Sequence, residues 1–480
     1  RKKMKPKIVP VVKQEAAGCT VYLASSPKDL PADIFSKPEL TYIRRRKEDK
    51  ADWIPFDRLG YWDFVQFIKE EKDLNRRDEE LRKAGDRLQA FLNEHKIHCI
   101  TISGSGNDPS ATLAFTEGVV LGDYRFSKYK TSKDESFTLE EIRISTDALP
   151  AAGIARLDAV TEGVYFARDL INEPNSGLTA GLFAREVTEM GKSCGVEVEV
   201  MNKNKLEALQ MGGILGVNKG SHEPPLMVCM EYKPSHPKNK KPFVLVGKGI
   251  MFDSGGMNLK TGDYMNDMKD DMSGGAAVAG VMLAIARVKL PVHVIGLVPA
   301  TDNRPGEQAI VSGDVLRMHN GKTVEVINTD AEGRLILADA LSYASRYKPA
   351  LVIDLATLTG AALRAVGKGA MAGMQAGAAG WMEQLIKSGF AVHERIVELP
   401  LWDDYAEGLK SEVADMKNLG GPEAGAIIAG KFLEKFTSYP FIHLDIAGPA
   451  FLEKRDYYRG IGGTGVGVRL LFHFFSTKTT

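Results

Sequence analysis

Val324-Glu325-Val326-Ile327-Asn328-Thr329-Asp330-Ala331-Glu332-Gly333-Arg334-Leu335 passes from an apolar run through a short polar stretch into residues at helical spacing, Leu337, Leu341 and Ala344. The run Val324 to Asn328 reads as a strand, and Arg334 opens a helix. In extended backbone, side chains two positions apart point the same way, so Asp330 and Glu332 are expected to reach one point in space. Gly333 is expected to allow a sharp turn there. Two carboxylates and a guanidinium at a strand-to-helix turn suit a divalent metal and an anion. Asp-x-Glu alone is common in solvated loops, so the weight comes from a second acidic, glycine-rich segment.

That segment runs from Pro242 to Gly275. Phe243 to Val246 is apolar throughout and reads as a buried strand. Gly247-Lys248-Gly249 follows, then Phe252-Asp253-Ser254-Gly255-Gly256, Lys260, and the group Asp267, Asp270 and Asp271. The glycines around Lys248 and after Asp253 are expected to bend the backbone and turn those side chains inward. Ala276 to Val288 reads as a helix, with Ser273 as its N-cap. Carboxylates with an amine, and no histidine or cysteine close by in sequence, suit zinc, manganese, cobalt or magnesium.

Apolar runs alternate with helices across the second half: Glu197 to Val200, Phe243 to Val246, His293 to Val298, Val324 to Asn328, Leu351 to Leu355 and Phe441 to Asp445. The pattern predicts an α/β/α domain with a mainly parallel sheet covered on both faces. Ligands of such sheets bind beyond the carboxyl ends of the strands, where Lys248, Asp253, Asp330, Glu332, Thr357 and Thr359 all fall. Gly369 to Gly380 reads as close helix packing or a loop. In the first half, Cys19 to Leu23, His98 to Ser103 and Glu141 to Ser145 read as strands. Asp63 to His95 reads as an amphipathic helix, and Lys128 to Ser136 as a solvated loop. A helix over Leu157 to Leu170 links the halves. The expected organisation is a smaller N-terminal α/β domain over 1–150, a linker helix region over 151–175 and a catalytic domain over 176–480.

Several motifs together resemble the two-metal, hexameric, cytosolic leucyl aminopeptidases. The family octapeptide stands unaltered as Asn328 to Leu335. Its lysine-bearing strand end is similar to Gly247 to Gly256, and its Asp-Met-x-Gly to Asp271-Met272-Ser273-Gly274. Weaker echoes are Arg168 to Asn175, Asp354 to Gly360 and His443 to Gly448. The resemblance covers roughly residues 160 to 472, in family order, with no clear match before about residue 150. It implies two divalent ions bridged by Asp253 and Glu332. Asp330 completes an exchangeable site, while Lys248 and Asp271 complete a tighter one. Asp270 competes locally with Asp271, which fits by preceding Met272. The ions are zinc by resemblance, with manganese or cobalt admitted at the exchangeable position. Lys260 is implied to stabilise the oxyanion and Arg334 to hold bicarbonate, which relays protons. A water bridging the ions would cleave the first peptide bond. A pocket walled by Met268, Thr357, Gly360, Ala447 and Ala450, with Leu358 and Thr359 beside it, would take leucine and other apolar side chains. One methylene discriminates by only about 1 kcal/mol, so selectivity is expected to be broad. The resemblance further implies short peptide substrates and a homo-hexamer in the cytoplasm. Met251, where threonine is common, and Thr261-Gly262, near a usual proline, depart from the family pattern. Asp169, Asn172, Asp354, His443 and Asp445 read as structural.

Composition excludes little else. In 480 residues, Lys+Arg and Asp+Glu both total 62, so net charge gives no hint of a nucleic-acid or anionic-membrane partner. No run is long enough to cross a bilayer, and the basic start, Arg1 to Lys7, is not a secretory signal. Four scattered cysteines fit a reducing compartment. The main alternative is an additional DNA-binding role through the N-terminal region, where Lys2 to Lys13 and Arg44 to Lys47 are basic; some family members bind DNA. A two-metal phosphatase or nuclease fits less well. Such sites more often use histidine, and His319 lies outside the motif.

Overall fold

Phe243–Gly247 forms the centre of a nine-stranded sheet in the computed structural model, which describes residues 5–12, 18–104, 108–131 and 138–478. The strand order is Ile396–Glu398, Met371–Ala376, Phe441–Asp445, Leu351–Ala356, Phe243–Gly247, Val294–Asn303, Leu226–Tyr232, Glu197–Met201; Gly249–Asp253 pairs with the far end of Val294–Asn303. The four middle strands, Phe441–Asp445 to Val294–Asn303, run parallel. Antiparallel pairing enters on either side of them. Alternate side chains of the central strand go to opposite faces. Phe243 meets Trp381, Phe474 and Phe475, whereas Val244 and Val246 join a core with Leu335, Leu337 and Leu341 of the helix Gly333–Ala344. Burial on both faces is why these strands are apolar without alternation.

The chain divides into two compact units between Thr161 and Glu162, inside the helix Ala151–Asn172; Arg455–Gly460 belongs with the first. The sheet of the first unit has six strands, ordered Lys7–Val11, Glu141–Ser145, Cys99–Ser103, Thr20–Ala24, Trp62–Phe67, Trp53–Asp57, parallel except for the last pair. Its helices Leu74–Glu94 and Pro109–Gly122 pack on each other. No described helix is long and apolar enough to cross a membrane.

Several expected elements differ. Asp63 to His95 is not one helix. Trp62–Phe67 is a strand held between two others, and the helix starts only after Asp73, whose carboxylate accepts from the Asn75 N–H. Gly369 to Gly380 contains the strand Met371–Ala376, because its small residues fit against Ile396 and Met382. Met272, not Ser273, occupies the N-cap position of the helix Ser273–Arg287, without a side-chain capping bond, and the Ser273 hydroxyl donates to Asp270 O at 2.5 Å. Only Thr323–Glu325 of the run before the octapeptide is strand. It lies in a separate three-stranded sheet with Val315–Arg317 and Met416–Lys417. Arg1 to Met4, Lys13 and residues 132–136 of the expected loop lie outside the described residues.

Candidate metal centre

At the carboxyl edge of the larger sheet, four loops deliver their charges to one place. Lys248 follows the central strand and Asp253 ends the next one. Asp271 follows the turn Met268–Asp270, and Asp330 and Glu332 precede the helix Gly333–Ala344. Lys248 Nζ lies 2.7 Å from Asp271 Oδ1, 3.0 Å from Glu332 Oε1 and 3.0 Å from Thr357 O. Lys260 Nζ lies 3.0 Å from Asp253 Oδ2 and 2.6 Å from Asp330 Oδ1. One oxygen each from Asp253, Asp330 and Glu332 lie within 4.8 Å of one another. The carboxylate that pairs with Lys248 is that of Asp271, not of Asp270.

Asp330 and Glu332 do not converge by strand alternation. The chain is coiled here: Asp330 N–H donates to Asn328 Oδ1 at 2.7 Å, and Glu332 is already helical at φ −77° and ψ −36°. Gly333 makes no left-handed turn either. It is small because a Cβ there would sit 2.4 Å from Lys248 Cε. Gly247 and Gly249 likewise stay extended, and close approach of Gly274 O and Pro299 O explains them. Gly255 and Gly256, at φ +89° and +67°, do turn the chain after Asp253.

Four carboxylates against two ammonium groups leave the cluster formally two negative charges in excess. Burial, then the charge of Asp253, holds the Asp330 and Glu332 carboxyls above their usual range, Glu332 at about 7. Burial raises Asp271 too, against the pull of Lys248. Burial opposes charge on Lys248 and Lys260, but the carboxylates outweigh it and hold both above the ordinary lysine value. Glu332 Oε2 is buried with no hydrogen-bond partner. An oxygen-rich donor set with surplus negative charge and an orphaned carboxylate oxygen fits divalent cations.

Arg334 is 5% exposed and donates through Nη1 to Asn418 O at 2.9 Å. Burial lowers its pKa to about 10, partly offset by Glu332 and Asp445, so it is charged at neutral pH. Of the expected substrate residues, Thr357 joins the cluster directly, its hydroxyl donating to Asp271 Oδ1 at 2.8 Å. The Thr359 hydroxyl donates to Asp445 Oδ2 and accepts from Ala362 N–H, capping the helix Gly360–Val366. Leu358 and Ala447 donate their N–H groups to Asp445 Oδ1, which ties their two loops together. The Leu358 side chain packs on the main core, and Ala450 is 1% exposed. Met268 is half-buried and Gly360 exposed; neither touches the cluster through a described hydrogen bond.

Three asparagines escaped the sequence reading. Asn303 Nδ2 donates to Asp253 Oδ1 at 2.8 Å and to Thr329 O at 3.1 Å. Asn258 Oδ1 accepts from Thr329 N–H at 2.8 Å, and Asn418 braces the octapeptide turn. Their bonds run to main chain tens of residues away, and nothing local in sequence marks them.

Buried carboxylates and lysines converge at the carboxyl edge of a mainly parallel α/β sheet in a cluster that could hold divalent metal. The catalytic-domain model of the cytosol aminopeptidase family matches residues 165–472, and the chain belongs to that family. A probable cytosol aminopeptidase of Geobacter sulfurreducens is 46% identical over 376 residues, 77% of this chain and 75% of that protein. One of Chlorobaculum tepidum is 48% identical over 370 residues, 74% of this chain and 73% of that protein. Among solved structures, a mutant of tomato leucine aminopeptidase superposes with a TM-score of 0.85 at 27% identity, covering 99% of this chain and 98% of that one. The bottromycin maturation enzyme BotP in complex with Mn superposes at 0.84 with 30% identity, covering 96% and 99%. The chain is therefore a peptidase, an aminopeptidase by family, acting on peptides with divalent metal.

Proposed function

We propose that this aminopeptidase holds two divalent ions in the cluster and removes leucine and other apolar residues from the N-termini of short peptides. One observation carries the reading: four carboxylates and two ammonium groups share a cluster with surplus negative charge and a buried, unpartnered Glu332 Oε2. Asp253 and Glu332 would be shared by both ions, Asp330 would serve the exchangeable one, and Lys248 with Asp271 the tighter one. When bound, such a pair supplies Lewis acidity that polarises the scissile carbonyl and acidifies a shared water. Zinc suits the donors; the Mn complex of BotP supports manganese as an ion for this family, and manganese or cobalt would serve at the exchangeable position.

Lys260 now neutralises Asp253 and Asp330. With those carboxylates holding divalent ions, the Lys260 ammonium would be free to bind the developing oxyanion. Arg334, buried in the first turn of its helix, would hold bicarbonate as proton carrier to the leaving amine. The wall formed by Met268, Thr357, Gly360, Ala447 and Ala450 would take the side chain. Four free cysteines support a reducing, cytoplasmic setting, and a homo-hexamer completes the reading; light scattering tests the latter. An added DNA-binding role has less support. Lys47 donates to Ser25 O and lies over the Phe67 ring, Arg45 lies over Tyr42 and Arg46 pairs with Asp49, so three of the four cations of Arg44 to Lys47 are engaged locally.

The deciding experiment strips the protein of metal, reloads it with zinc or manganese and measures leucine release from Leu-amide. Metal-dependent turnover is expected; its absence overturns the reading.

A further inference from the structure

We propose that Asn418 is the positioning residue of this centre, keeping the carboxylate-bearing turn and Arg334 in one fixed relation. The proposal rests on the two-ion reading above.

Asn418 lies 0% exposed just past the short strand Met416–Lys417, which pairs in parallel with Thr323–Glu325. Its own N–H donates to Glu325 O at 2.9 Å and is the last main-chain bond on that side. Beyond it the octapeptide coils away from its neighbour, so its peptide groups need other partners. The Asn418 side chain supplies them. Oδ1 accepts from Ile327 N–H at 2.8 Å and from Asn328 N–H at 3.4 Å. Nδ2 donates to Asn328 O at 2.8 Å and to Ala331 O at 3.4 Å. The carbonyl of the same residue accepts from Arg334 Nη1 at 2.9 Å.

One buried residue thus grips the main chain on both sides of Asp330, immediately before Glu332, and also the guanidinium two residues after Glu332. The grip needs an amide. A carboxylate cannot donate to the two carbonyls, and an apolar side chain can do neither task. Asn303 makes the matching grip from the other side, on Asp253 and Thr329 O. Among the described residues, Asn418 reaches both the turn carrying Asp330 and Glu332, through its side chain, and the arginine beyond it, through its carbonyl. Side chains that orient metal ligands from behind typically alter metal affinity or activity about 10- to 100-fold when removed.

The test compares wild type with Asn418→Ala in the full chain. Manganese binding is titrated by the electron paramagnetic resonance of the free ion, and fold is monitored by circular dichroism and thermal melting. Leu-amide hydrolysis is measured across bicarbonate concentrations. Asn418→Ala is expected to fold, to bind the weaker manganese equivalent about 10- to 100-fold less tightly, to lose kcat with little change in KM, and to respond less to bicarbonate. Asn418→Ser, with one hydroxyl to donate and accept, should recover part of the loss; it also replaces Asn418→Ala should that variant fail to fold. A folded variant with wild-type manganese affinity, kcat and bicarbonate response, differing only in melting temperature, overturns the proposal. Should wild type itself bind no manganese and release no leucine, the two-ion reading fails instead.

Discussion

Two mainly parallel sheets in this chain end in loops of different electrostatic character, one balanced and one acidic. Beside the Trp62–Phe67 strand of the first unit lies a cleft of about 360 Å³ that includes Asp52, Lys69, Glu71, Arg76 and Arg87. Four acids and four bases line it; the pairs across it are loose, Lys69–Asp52 at 3.3 Å, Arg87–Asp52 at 3.4 Å and Arg76–Glu71 at 3.6 Å, while Arg77 and Glu80 pair closely with Asp78, Asp108 and Lys83. The Lys69 and Arg76 side chains are 66% and 75% exposed. At the edge of the larger sheet, four carboxylates meet two lysines, and the Lys248, Asp271 and Glu332 side chains are at most 5% exposed. Neutral, solvated pairs contribute little and invite nothing. Buried, unbalanced charge demands a counter-ion. The architecture provides the edge, and charge balance with burial decides whether the edge does chemistry.

The largest effect that would sharpen this contrast is at Glu332. Glu332→Ala removes the proposed shared ligand and should take leucine release below detection in metal-loaded protein; wild-type turnover would break the comparison at its strong end. Lys260→Ala should lower kcat about 10²- to 10³-fold while leaving KM nearly unchanged, as steady-state kinetics would read. Buried but paired charge in the first unit should act on stability instead. Arg82 is 3% exposed, 2.6 Å from Glu117 and 3.4 Å from Glu79. Arg82→Ala should cost about 3–5 kcal/mol in denaturant unfolding, with kcat of the folded enzyme unchanged. Gly333→Ala should cost about 1–3 kcal/mol by crowding Lys248, with activity falling alongside. Arg76→Ala, at the rim of the balanced cleft, should shift stability by under about 1 kcal/mol and leave turnover untouched. A large loss of activity there would show that the first unit's edge also works.

Much of the larger domain was legible because its signal is local. Short, fully apolar runs such as Phe243 to Val246, bounded by Pro242 and Gly247, read as buried strands, and helices between them favour parallel pairing. The places of Lys248 and Asp253 followed from strand ends, whereas those of Asp271, Asp330 and Glu332 followed from the family motifs. The expectation failed where partners, not local pattern, set the conformation. Trp62–Phe67 became a strand because two neighbours pair with it. The octapeptide coiled because Asn328 and Asn418 satisfy its peptide groups.

The sequence alone therefore determined the main apolar strands of the larger domain, the family, and which charged side chains gather at the sheet edge. These depend on burial period and on residue type, both written locally. Only the tertiary structure decided how Asp330 and Glu332 converge, why Gly333 must be small, and which asparagines hold the turn. Those facts depend on contacts between segments far apart in the chain, such as Gly333 with Lys248 and Asn418 with Asn328, which no local pattern encodes.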